Sequence, residues 1–156
     1  MKKVIFSVLL YTCGTALFAQ DRDHNDHRNQ NMPPQTVQQA WQRDHASDGN
    51  ANWKYTNGQW HATYTDHENN RNAETFYDGR GRRMETHRDW DKTQLTPDFD
   101  QRLNKRYHTN GNYTVRRIER PNQKEMYEVK VNDKGRSRTI YTDEKGNEVR
   151  YRPQGR

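Results

Sequence analysis

The chain has 156 residues, of which 31% are charged and only 28% hydrophobic, and its formal net charge is +6. That length fits one ordinary domain or two small repeats. Its Lys, Arg, Asp and Glu are interspersed rather than blocked, which argues for a solvated mixed surface and against an electrostatic footprint for nucleic acid.

The first residues read as an export signal. "MKK" is a positive start, and "VIFSVLLYTCGTALFA" is a short apolar run ending in small residues. Residues 1–19 are therefore expected to be a secretory signal peptide cleaved after Ala19. The run is too short for a comfortable membrane span, so no stable insertion is expected after cleavage. Cys13 falls inside it, and bulky Tyr11 and Thr12 stand where a lipid-acceptor cysteine needs small neighbours. The exported chain then has no cysteine and no disulfide. The expected location is the periplasm or outside the cell.

Residues 20–31, "QDRDHNDHRNQN", contain no apolar side chain and read as a flexible polar tail. His24 and His27, among three Asp residues, form a candidate tract for zinc, nickel or copper. The competing reading is a solvated tail with chance histidines. Order is expected to start at "MPPQTVQQAWQRDH". Pro33 and Pro34 favour a helix start, Val37, Ala40 and Trp41 make an apolar stripe, and Gly49 is the expected breaker.

Strand signals follow. Trp53 and Tyr55 alternate, Asn57-Gly58 marks a hairpin, and Trp60, Ala62 and Tyr64 alternate again. "AETFYD" and "RRMETHRD" read as third and fourth strands of an antiparallel meander. The pattern then restarts. Thr96 and Pro97 open a second helix carrying Phe99, Leu103 and Tyr107 at i, i+4 and i+8, with Gly111 as its stop. "YTVRRIER", "EMYEVKVN", "SRTIYTD" and "NEVRYRP" read as four more strands. Low apolar content would suggest disorder, but nine Tyr and four Trp, mostly at alternating positions, point to a folded domain with a thin, ring-rich core.

The two halves align. Pro34 matches Pro97, Ala40 matches Leu103, His45 matches His108, Phe76-Tyr77 matches Ile140-Tyr141, and Gly81 matches Gly146. The expected fold class is α+β, a tandem repeat of about sixty residues, each a helix followed by a four-stranded antiparallel meander. The expected units are 32–91 and 92–152, with a short C-terminal tail at 153–156.

This order resembles the PepSY-like family, exported bacterial proteins also described as similar to the β-lactamase inhibitor protein. Pro34, Val37, Ala40, Trp41, Trp53, Tyr64, Tyr77 and Gly81 carry the resemblance in the first half. Pro97, Leu103, Tyr107, Tyr127, Tyr141 and Gly146 carry it in the second. The resemblance implies a β-lactamase-inhibitor-like tandem α+β fold in the periplasm, an inhibitory or binding role, and no catalytic residues. The chain departs from the pattern at Asp100, which stands where the first repeat has Val37, and at Asn104, which replaces Trp41. The second helix is thus expected either to pack less deeply or to pivot onto Phe99.

No hydrolase motif, phosphate-cradling loop or cysteine nucleophile is visible outside the leader, so no enzyme and no cofactor are expected. The remaining candidates are aromatic. Trp53, Tyr55, Trp60 and Tyr64 are either core beneath the first helix or an open face. With Arg82, Arg83, Arg116 and Arg117 beside it, an open face would suit an envelope protein or peptide partner. The leading expectation is an exported non-catalytic binding module; the alternative is a metal-binding or metal-sensing protein acting through the His/Asp tail.

Overall fold

The computed structural model describes residues 32–133 and 135–153. The expected leader, the polar tail with His24 and His27, and most of the short C-terminal tail lie outside the described residues. Helix α1 (Gln35–Asp44) precedes strands β1 (Asn52–Thr56), β2 (Gln59–Asp66), β3 (Arg71–Tyr77) and β4 (Arg83–Trp90). A short 3₁₀ turn (Lys92–Gln94) leads to helix α2 (Pro97–Tyr107) and strands β5 (Tyr113–Glu119), β6 (Met126–Asp133) and β7 (Arg136–Thr142). All seven strands form one sheet in chain order, and every neighbouring pair is antiparallel.

The register places both helices on the same side. Trp60, Ala62 and Tyr64 pair with Tyr77, Thr75 and Ala73, and all six are buried together with Val37, Ala40 and Trp41 of α1. Thr75 pairs with Thr86. Four positions along β4, Trp90 pairs with Val115, and Val115 pairs in turn with Val129. Because alternate residues share a face, Val115, Val129 and Ile140 lie on the side that carries Trp60. They pack with Phe99, Leu103 and Tyr107 of α2. The result is two separate apolar clusters, one under each helix. Phe99 is fully buried while Asp100 is exposed, so the second helix pivots onto Phe99.

Local chemistry explains the element ends. Asn57 and Gly58 both have positive φ, 52° and 77°, which is the tight turn that matches strand twist. Both helices stop earlier than their expected glycine breakers. His45 closes α1 by donating its N–H to the Trp41 carbonyl at 2.8 Å and stacking on the Trp41 ring at 4.3 Å. His108 takes the left-handed conformation that ends α2.

The turns after β3 and β7 share one hydrogen-bond pattern. Asp78 Oδ1 accepts from the backbone of Arg80 and Arg82, and Asp143 Oδ1 accepts from that of Lys145 and Asn147. Each turn carries a glycine at φ 78°, Gly81 or Gly146, pressed against the start of its helix. A Cβ on Gly81 would lie 2.5 Å from the Thr36 carbonyl oxygen, and one on Gly146 would lie 3.1 Å from that of Phe99.

The expected eighth strand does not form. The segment "NEVRYRP" makes one bridge, Thr142 to Glu148, closed by Val149 N–H to the Tyr141 carbonyl and Asp143 N–H to the Asn147 carbonyl. Beyond Val149 it leaves the edge of β7 and is held by side-chain contacts instead. Tyr151 stacks on Tyr141 at 4.1 Å and donates its hydroxyl hydrogen to Glu85 at 2.8 Å. The Arg152 carbonyl accepts from Arg120 at 2.7 Å. The expected four-plus-four meander is therefore a seven-stranded sheet with a C-terminal strap.

Candidate functional site on the open face of the sheet

The opposite face of the sheet carries no helix among the described residues. Alternation and register assign to it His61 of β2, Glu74 and Phe76 of β3, Glu85, His87 and Asp89 of β4, Arg116 and Ile118 of β5, and Tyr141 of β7. The face of an antiparallel sheet that no helix covers is ordinarily polar. Here rings run across it. His61 meets Phe76 edge-on at 4.4 Å, Phe76 meets His87 at 5.0 Å, and a separate Tyr141–Tyr151 stack lies nearer β7, joined to His87 through Glu85. Ile118 is 0% exposed despite lying on this side.

Carboxylates fix the rings. Glu74 pairs with His61 Nδ1 at 3.2 Å and with Arg116 at 3.7 Å; Arg116 also reaches Asp89 at 3.4 Å. Glu85, its side chain 5% exposed, takes His87 Nε2 at 3.1 Å and Arg120 Nε at 2.9 Å, besides the Tyr151 hydroxyl. Burial pushes the Glu85 carboxyl up, but the bonds from His87, Tyr151 and Arg120 outweigh it and hold it below the ordinary range. Burial and the adjacent Glu85 raise the Tyr151 phenol. The Arg120 guanidinium lies over the Tyr151 ring at 4.8 Å. The face is thus an array of rings and Arg side chains whose charges are already compensated. Such side chains contribute most strongly to protein interfaces.

The residues proposed from sequence fall elsewhere. Trp60 and Tyr64, 8% and 5% exposed, are core beneath α1, because their strand positions point to the helix side. Trp53 is half-buried at the edge of the same cluster, and Tyr55 is 52% exposed. Arg82 is tied to Asp78 in its own turn at 3.1 Å, and Arg83 is half-buried at the start of β4. These six do not converge on one surface. Arg117 also points to the helix side, over the Trp90 ring at 3.9 Å. His61, Phe76, His87 and Tyr141 were legible as the other phase of each alternation; Tyr151 was not.

A second polar cluster lies at the end of α1. Asp48, Asp66 and His67 bring possible ligand atoms within 4.8 Å of one another. Asp66, however, is paired with Arg88, and Asp48 accepts from the Nδ1 of both His45 and His67, each at 2.8 Å. The group is compensated by protein cations and N–H donors, a poor starting state for an ion.

No protein-family model matches the chain, and no curated protein matches it. Solved structures do. A DUF2874 family protein from Bacteroides ovatus is 18% identical with a TM-score of 0.68, the match covering 77% of this chain and 86% of that one. A protein from Bacteroides eggerthii described as periplasmic is 14% identical with a TM-score of 0.67, covering 76% and 87%. A BLIP-like protein from Bacteroides fragilis is 18% identical with a TM-score of 0.65, covering 80% and 89%. At these identities the likeness defines the fold: an α+β sheet protein of the BLIP-like kind. Among the described residues no helix is long and apolar enough to cross a membrane.

Proposed function

We propose that this is an exported, non-catalytic binding module whose open sheet face docks a protein or peptide of the cell envelope, with α1 and α2 supporting the sheet from behind. One observation carries the reading: a face that bears no helix among the described residues carries rings (His61, Phe76, His87, Tyr141 and Tyr151) set among its paired charges. The fold shared with a periplasmic and a BLIP-like protein supports it. The same reading includes a leader at residues 1–19 and membership of the PepSY-like family. It also includes descent of units 32–91 and 92–152 from one duplicated ancestor, for which the matching turns at Asp78 and Asp143 speak. Inhibition of an enzyme is one form such binding takes; fold alone does not select it.

Site-specific photocrosslinking in living cells tests the reading. A crosslinker at Phe76, or at Thr139, which shares the open face with Tyr141 on β7, should trap a discrete partner, while one at Gln39 or Arg102 on the helices should not. Phe76→Ala should abolish trapping from Thr139 without lowering the unfolding midpoint by more than a few degrees. Equal trapping from both faces, or none from the sheet, removes the basis of the proposal.

A further inference from the structure

A second surface lies at the edge of the sheet, away from the open face. Strand β1 pairs with β2 alone among the described residues. The Asn57-Gly58 turn makes Thr56 and Gln59 the closing hydrogen-bonded pair, so the main-chain groups of Tyr55 and Trp53 point outward from the sheet. Such an edge is a template for another strand.

Beside it is a cavity of about 380 Å³ between β1 and α1. Its apolar walls are Met32, Pro33, Trp41, Ala51 and Trp53, and the rest of the lining is Gln38, Gln42 and Asn50. None of these carries a charge, in a chain in which 31% of residues do. Met32 is 64% exposed, and exposed Tyr55 lies two residues along from Trp53. An unpaired strand edge next to an uncharged apolar slot is the arrangement of strand-addition recognition, in which main-chain bonds give affinity and the slot selects a side chain.

We propose that β1 accepts an extended peptide as an additional strand, with one uncharged apolar or aromatic side chain seated against Trp41 and Trp53. The charge-free lining fixes the chemistry of the occupant, since an acidic or basic anchor would lose its hydration there without a partner. The proposal is independent of the open-face reading, because no residue is shared between the two surfaces.

The test is selection of seven-residue peptides from a randomised display library on the folded protein. Selected peptides should share a Phe, Trp, Leu or Met at one fixed position and carry no charge beside it. N-methylation of an amide facing β1 should weaken binding about tenfold, the cost of one lost main-chain bond with its steric clash. Tyr55→Pro, which removes an outward N–H, and Gln42→Glu, which brings a charge to the exposed rim, should each abolish binding, whereas Phe76→Ala on the open face should not. Peptides that keep binding to both Tyr55→Pro and Gln42→Glu, peptides enriched in charged anchors, or a library yielding nothing would each overturn the proposal. So would a concentration-dependent dimer lost in Tyr55→Pro, which would assign the edge to a second copy.

Discussion

Arg88 and Arg117 stand directly opposite each other on β4 and β5, on the helix side, between the two apolar clusters. Like charges in that relation are destabilising unless compensated. Here Asp66, its side chain 1% exposed, pairs with Arg88, and Glu119 pairs with both arginines. Trp90 covers the Arg117 guanidinium at 3.9 Å. The sheet is continuous across this seam, but the core is not.

Removing one partner of this seam leaves an uncompensated buried cation. Asp66→Asn is expected to cost about 3–5 kcal/mol of unfolding free energy, measured by urea titration. Replacing Arg88 and Asp66 together by Met and Leu should cost much less, because no charge is then stranded. A cost for Asp66→Asn under about 1 kcal/mol would mean that water already screens the pair.

Three turn glycines make a graded prediction. At Gly58 an added Cβ meets nothing within 4 Å, so Gly58→Ala should cost only the left-handed penalty, about 1–2 kcal/mol. Gly146→Ala adds contacts near 3.1 Å to the Phe99 backbone and should cost more. Gly81→Ala forces a Cβ to within 2.5 Å of the Thr36 carbonyl oxygen, against backbone that cannot swing aside, and should be the worst of the three. Thermal melts of the three variants check the order; equal losses would show that α1 yields as a body.

Much of this fold was legible in the sequence because it is written locally. The Asn57-Gly58 turn, the alternation of Trp60, Ala62 and Tyr64, the Phe99–Leu103–Tyr107 stripe and the two Asp-x-x-Gly turns are all short-range patterns. Alternation defines two faces but not which of them a helix covers. That is why Trp60 and Tyr64 stood as site candidates while Phe76 and His87 did not. The eighth strand failed for a non-local reason. "NEVRYRP" has the right period, but Tyr151 is captured by Glu85, 66 positions away. The early helix stops at His45 and His108 likewise depend on ring stacking and a left-handed residue that propensity does not encode.

The strap offers a prediction of its own. Tyr151 is one of three donors to buried Glu85. Tyr151→Phe keeps the stack on Tyr141 and deletes one charge-assisted bond, so it should cost about 1.5–3 kcal/mol. Truncation after Asn147 also removes Glu148, which bridges Arg106 and Arg138, and should cost more while uncovering part of the open face. If Tyr151→Phe is neutral by denaturant titration, water replaces the phenol and the strap is not held by Glu85.

Stability should fall on the acid side of neutrality, through His45. Its ring stacks on Trp41 and meets Tyr64 edge-on, its Nδ1–H donates to Asp48, and Nε2 accepts from the Thr75 hydroxyl at 3.2 Å. Burial lowers its pKa despite the Asp48 bond, so the imidazole is neutral in the native protein at neutral pH. An unfolded histidine takes its proton near pH 6.5. Below that pH the unfolded chain binds more protons than the native one, so stability present at pH 7 is lost as pH falls through the depressed native value. His67 acts in the opposite sense. Its bond to Asp48 raises its pKa, a contribution present below about pH 6.5 and lost as pH rises through the native value. Its side chain is half exposed, so solvent screens that contribution. Urea unfolding between pH 7 and pH 5 should therefore show a falling midpoint in the wild type. The slope should be flatter in His45→Gln, which keeps a donor for Asp48 without a titrating ring, and retained in His67→Gln. A wild-type midpoint that does not move over this range, or an acid slope that survives His45→Gln, would show that the buried imidazole is not what links this fold to pH.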